Sequence, residues 1–235
     1  VSFRVRALVV ALGALALAGC HAEGRVDLVV HDDGSGTVTV SVGLDPQAVQ
    51  RVGDPTTAVP TVDLVDAGWK VGHPRRSGGL TWIEATKPFL SPSQLGAVMG
   101  EVGMFRDWTV RVADGFGSTR WKLSGRIVVS GGLSQFSDSD LAAALDGMPL
   151  GMTPEELSAA LADSGPLPVT VRVQMPGATD DLTSIPVQLD ASTSIDRPVQ
   201  IESSRSSSAP TRWLAVAGIL AALAGAAYVA NRLRR

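Results

Sequence analysis

The sequence predicts an α+β domain, a mostly antiparallel sheet of hairpins with inserted helices, followed by one C-terminal transmembrane helix. Three observations carry that expectation. Apolar residues alternate with polar ones in paired segments joined by Gly-rich turns, the period of half-buried strands. Short stretches with helix-start signals fall between the pairs, an order that favours an antiparallel α+β domain over a doubly wound parallel one. Near the end, Trp213 to Ala230 runs 18 residues without a charge.

Residues 1–19 read as a secretory signal. Arg4 and Arg6 precede an apolar and small-residue run from Ala7 to Ala18, 12 residues long, where a membrane span needs roughly 20. The run ends in Leu17-Ala18-Gly19-Cys20, the pattern of a bacterial lipobox. Small residues there admit the backbone to a peptidase, and the thiol is nucleophilic enough to take up a diacylglyceryl group. Cys20 is the single cysteine of the chain. Exported proteins ordinarily use cysteines in disulfide pairs. A lone Cys at the cleavage point therefore reads as the lipidation site, and the domain is expected to hold no disulfide and no Cys-based metal site.

Residues 20–202 are expected to form one extracytoplasmic domain, long enough for a real core. It opens with a hairpin: Val26, Leu28 and Val30 alternate, Asp32-Asp33-Gly34-Ser35-Gly36 turns, and Val38, Val40 and Val42 alternate again. Asp45 to Val52 and Thr61 to Ala67 read as short helices, the second stopped by Gly68. Trp69 to Gly72 and Leu80 to Thr86 read as strands around a Pro74 to Gly79 turn. Ser91 to Val102 reads as a helix with Ser91 as its cap, Pro92 at its first position, and Leu95, Val98, Met99 and Val102 on one face. A second hairpin, Trp108 to Val112 and Thr119 to Val129, turns at Asp114-Gly115-Phe116-Gly117. Two capped helices are expected next, one started by Asp138 or Ser137 ahead of Leu141 to Leu145 and one starting at Thr153-Pro154-Glu155-Glu156 with a capping-box Glu156. Pro168 to Met175 and Ile185 to Leu189 are later strands, and Val199 to Glu202 is a short edge.

Residues 203–212, rich in serine and ending near Pro210, read as a polar stalk. The helix expected at 213–230 is about 27 Å long, close to a hydrocarbon core of about 30 Å. Trp213 and Tyr228 lie near its ends, and Arg232, Arg234 and Arg235 weight the tail, residues 231–235, toward the cytoplasm. The domain would then face outward at the cell membrane, lipid-anchored and single-pass, which agrees with the exported N-terminus. All 23 acidic residues lie between Glu23 and Glu202, where only 13 of the 20 basic ones fall, so that region carries a net charge of −10. Such a domain is soluble beside a membrane and a poor nucleic-acid binder.

The order of lipobox, Val29-Val30-His31-Asp32-Asp33-Gly34-Ser35-Gly36 hairpin, mixed α+β domain, Ser-rich stalk and Trp213 to Arg235 helix with Arg tail resembles the LppM-type lipoproteins of mycobacteria and other actinobacteria. The resemblance implies an extracytoplasmic domain associated with envelope lipids or glycolipids. It supplies no catalytic residues.

Catalytic patterns are scarce, and the chain reads as a non-enzyme without a cofactor. His21, His31 and His73 are scattered, and no zinc-binding spacing, nucleophile elbow, phosphate loop or dinucleotide fingerprint appears. The acidic pairs Asp32/Asp33, Glu155/Glu156 and Asp180/Asp181 read as a turn, a helix start and a loop. On the second hairpin, Arg111 lies opposite to Trp108, Val110 and Val112, while Arg120, Lys122 and Arg126 lie opposite to Trp121, Leu123 and Ile127. This places four cations on one face of an acidic domain, either a candidate site for the phosphate headgroups of envelope lipids or glycolipids or a solvated sheet face neutralised by nearby Asp and Glu. Trp69, Trp82, Trp108 and Trp121 read as core aromatics or as the lining of a lipid cavity. The expected partners are membrane lipids and an envelope glycolipid. The alternative is an assembly factor that docks another envelope protein through its acidic surface.

Overall fold

The structure, a computed structural model, describes residues 21–52, 61–130, 166–178, 182–190 and 193–206. The lipobox with Cys20, the two helices expected near Leu141 and Thr153, and the 213–230 stretch lie outside the described residues. Among the described residues, no helix is long and apolar enough to cross a membrane.

The first alternating pair forms the expected hairpin, β1 (Ala22–Val30) and β2 (Gly36–Leu44), in register from Ala22↔Leu44 to Val30↔Gly36. Asp45 then caps α1 (Pro46–Val52): its Oδ1 accepts the Ala48 N–H at 2.6 Å, and its Oδ2 accepts the His21 N–H at 2.7 Å. Helix α2 (Thr61–Asp66) stops at Gly68, whose φ of +86° only glycine adopts freely. The segment expected to be a Pro74–Gly79 turn holds a strand of its own. Strands β3 (Lys70–Val71) and β4 (Arg75–Ser77) both pair with β5 (Leu80–Phe89).

The helix expected from Ser91 is a 3₁₀ turn, Pro92–Gln94, leading into α3 (Leu95–Glu101). Ser91 is extended, as a cap must be, yet its Oγ makes no capping bond and meets Ser93 Oγ at 2.9 Å. Strands β6 (Phe105–Gly115) and β7 (Ser118–Val129) form the second hairpin, and β8 (Leu167–Gln174) and β9 (Thr183–Leu189) follow. The expected short edge is instead a 12-residue strand, β10 (Ile195–Ser206). Four residues expected in the stalk, Ser203 to Ser206, are thus part of a sheet, because β7 is long enough to pair with all of them.

The strands form two sheets. One has seven strands in the order β3-β5-β2-β1-β8-β9, with β4 also on β5, and the other has the order β10-β7-β6. Pairing is antiparallel throughout except for β1 with β8, which run parallel. That pair carries a direct cross-strand ion pair, Asp27 with Arg172, whose guanidinium grips both carboxylate oxygens.

Alternating residues of both sheets meet in one core with Leu95 and Met99 of α3: Leu28, Val38, Phe89, Phe105, Leu123, Ile127 and Val171 are fully buried there with them. Trp69, Trp108 and Trp121 belong to it at 1–2% exposure, each ring contributing up to several kcal/mol of burial. Trp82 lies on the other face of β5, with Arg25 stacked 4.3 Å above its ring. These rings are packed residues.

Candidate functional site

The three-stranded sheet owes its two-faced character to a bulge. Phe105 and Trp108 both point inward, which strict alternation forbids at a spacing of three. The register shifts between Arg106 and Thr109, and Asp107 takes a φ of +56°. The extra residue returns both rings to the core, where they meet edge to face at 5.5 Å. Trp108 lies flat over Gly125, and its Nε1 donates to the Arg126 carbonyl at 3.0 Å.

With the inward positions fixed, the outward ones gather the cations. Arg111, Arg120, Lys122 and Arg126 are all exposed on the outer face, and Arg106 adds a fifth. The sequence reading missed Arg106 because it began the strand at Trp108, and the bulge leaves no signal in the apolar pattern except the odd spacing of Phe105 and Trp108. Arg111 lies directly opposite Lys122, and Arg120 lies opposite Ala113 on one side and Ser204 on the other.

Strand β10 supplies counter-ions of the kind expected for a neutralised face, from residues that the sequence did not single out. Lys122 Nζ lies 2.8 Å from Glu202 Oε1, its register partner. The Lys122 hydrogen bond and charge hold the Glu202 carboxyl below its ordinary value, with Arg120 adding to the effect. Arg126 grips Asp196 with both Nε and Nη2, and that bond, then the charge, raises its pKa. Arg111 and Arg120 have no ion pair among the described residues. The four expected cations therefore divide into two neutralised ones and two available ones.

Two open clefts lie at the end of the molecule where β1, β6, β8 and β10 finish. One, of about 400 Å³, is bordered by Asp32, Asp33, Asp114, Thr119, Trp121 and Arg205. The other, of about 610 Å³, lies between the β1–β2 turn and Gln174 to Ala178. Arg205 joins them: its Nη1 donates to both Asp32 oxygens at 2.8–2.9 Å, and its guanidinium lies 5.8 Å from the Trp121 ring centre. Trp121 Nε1 donates to the Asp32 carbonyl at 3.1 Å, tying the sheets together. Asp33 folds its own turn, accepting the Ser35 hydroxyl at 2.6 Å and the Ser35 N–H at 2.9 Å, and these bonds lower its pKa. The Asp32/Asp33 pair is thus occupied by structure; the other two acidic pairs lie outside the described residues. His21 and His31 pair locally with Glu23 and Ser35. Among the described residues, no three His, Cys, Asp or Glu side chains are grouped to hold a metal.

No protein-family model matches the chain, and no curated protein matches it. Among solved structures, the chain is similar to the folded domain of LppM from Mycobacterium tuberculosis, solved by NMR. The two are 14% identical with a TM-score of 0.36, over 80% of this chain and 94% of that one.

Proposed function

We propose that the chain is a membrane-tethered, LppM-like envelope lipoprotein, without enzymatic activity, that binds anionic lipid or glycolipid headgroups at the outer face of the cytoplasmic membrane. The binding surface is the outer face of β6, β7 and β10. One observation carries this reading: Arg111 directly faces Lys122, with Arg120 beside them, on an exposed sheet. Like charges opposite one another weaken a sheet. Glu202 pairs with Lys122 and offsets part of that repulsion, which leaves Arg111 and Arg120 as the cations available to phosphate, a natural ligand of guanidinium groups.

The two proposed anchors would leave the described domain at separated points. Cys20 precedes His21, which is held at the start of β1 by Asp45. The stretch from 213 onward follows β10, whose last turn of chain lies beside the far end of β1 through the Arg205–Asp32 pair. A nine-residue strand at about 3.3 Å per residue separates these exits by roughly 25–30 Å. A domain anchored at both ends lies along the membrane, which brings a sheet face, with the hairpin tip at its end, against the headgroups.

The test is flotation of residues 21–206 with phosphatidylcholine vesicles, with and without phosphatidylglycerol. Buried Trp69, Trp108 and Trp121 report through near-ultraviolet dichroism that the domain is folded. Binding that requires phosphatidylglycerol and weakens with salt is expected. Equal binding to both vesicles, or none, would overturn the reading in favour of a protein-docking role.

A further inference from the structure

We infer that the tip of the β6–β7 hairpin, led by Phe116, inserts into the bilayer interface beside the basic face. Phe116 is 95% exposed, the most exposed of the large apolar residues described. It occupies a two-residue loop with Gly117, whose φ of +83° takes the left-handed corner. The loop is held rigid: Gly115 pairs with Ser118, and Thr119 Oγ1 donates to Asp114 Oδ1 at 2.8 Å. The ring is therefore presented to solvent by an ordered hairpin that gains nothing from it internally.

Two further features name the occupant as a lipid bilayer. Arg111 before the tip and Arg120 and Lys122 after it lie on one face within six residues of Phe116, so a ring at the acyl boundary would leave the cations at the level of the phosphates. Asp114, bonded to Thr119, is the one acidic residue between Asp107 and Arg126 on this hairpin. Strand β10 also ends here. Ser206, the last residue of β10, pairs with Ser118, two residues from Phe116. Residues 207–212 reach at most about 20 Å when extended, which bounds how far from Ser206 the uncharged 213–230 stretch can begin. The inference rests on the membrane tether proposed above and adds the element that fixes the domain's orientation on the bilayer. Leu90 and Leu182, exposed at 78% and 47%, adjoin strands of the other sheet and lack such flanking cations.

The experiment uses the full chain in vesicles of phosphatidylcholine and phosphatidylglycerol doped with a phosphatidylcholine bearing a diazirine on its acyl chain. After irradiation, tryptic peptides are searched for lipid adducts. Cleavage after Arg111 and Arg120 isolates the tip as Val112 to Arg120. An adduct on that peptide, lost in Phe116→Ser while adducts on 213–230 persist, is expected. Adducts confined to 213–230, or a tip adduct unchanged by Phe116→Ser, would overturn the inference. A Phe116-dependent adduct that is indifferent to phosphatidylglycerol supports the tip and counts against the headgroup reading. Phosphatidylglycerol-dependent flotation of residues 21–206 without a tip adduct counts against the tip alone.

Discussion

Reversing Arg111 and Arg120 together to glutamate separates headgroup binding from folding, because the two effects are expected to have opposite signs. Neither guanidinium has an ion pair among the described residues, although Arg120 is close enough to Glu202 to lower its pKa, so both charges are available to an anionic surface. At about 1 kcal/mol per cation near such a membrane, losing the pair costs roughly 2 kcal/mol, a drop of about 30-fold in partitioning. The new carboxylates are repelled as well and deepen the loss. Folding responds differently. Glu at position 111 would face Lys122 and turn a like-charge opposition into an attractive pair, a gain of about 0.2–1 kcal/mol. Position 120 faces Ala113 and Ser204, and Glu there gives back part of that gain by losing the attraction of Arg120 for Glu202. Flotation with phosphatidylglycerol vesicles should show the 30-fold loss, and thermal melting should show an unchanged or slightly raised Tm. Unchanged partitioning would refute the role of the face. A large fall in Tm would refute the claim that these side chains are free.

Three other outcomes follow from the same geometry. Glu202→Gln frees Lys122 and should strengthen binding to phosphatidylglycerol vesicles in the flotation assay; weaker binding would mean that the Lys122–Glu202 pair organises the site. Gly125→Ala drives a Cβ to 2.5 Å from the Trp108 ring, an overpacking cost of about 1–3 kcal/mol, read as a lower Tm with vesicle selectivity intact. Asp45 is raised by burial but lowered more by the N–H groups of Ala48, His21 and Gln47, leaving it below its ordinary 3.8. A depressed carboxyl stabilises the fold above its unfolded pKa and loses that contribution as pH falls through the folded one. Asp45→Ala should therefore cost about 1 kcal/mol at neutral pH, as the loss of a helix cap does, and the gap in denaturant midpoint should close below pH about 4.

The local parts of this fold were legible because they depend on neighbours in sequence. The β1–β2 and β6–β7 hairpins follow from period-two alternation around Gly-rich turns, and the end of α2 follows from Gly68. The inward and outward faces of β7 were readable residue by residue. Long-range pairing was not. Nothing local shows that Ser203 to Ser206 pair with β7, and a serine run looks like linker until a partner strand of sufficient length is known. The same blindness hid Glu202 and Asp196, the counter-ions of Lys122 and Arg126, since both come from β10. The bulge at Asp107 concealed Arg106 by breaking the alternation on which the reading relied. Phe116 was assigned to a turn correctly, but its exposure becomes informative only when Ser206 is seen beside it.

The most direct test of the account is a heteronuclear NMR titration of residues 21–206 with short-chain phosphatidylglycerol below its micellar concentration. The account predicts saturable shifts centred on Arg111, Arg120, Lys122 and their β10 neighbours Gln200 to Ser204, absent with short-chain phosphatidylcholine. Shifts centred instead on Asp32, Asp33 and Arg205 at the clefts, or equal responses to both lipids, would contradict it.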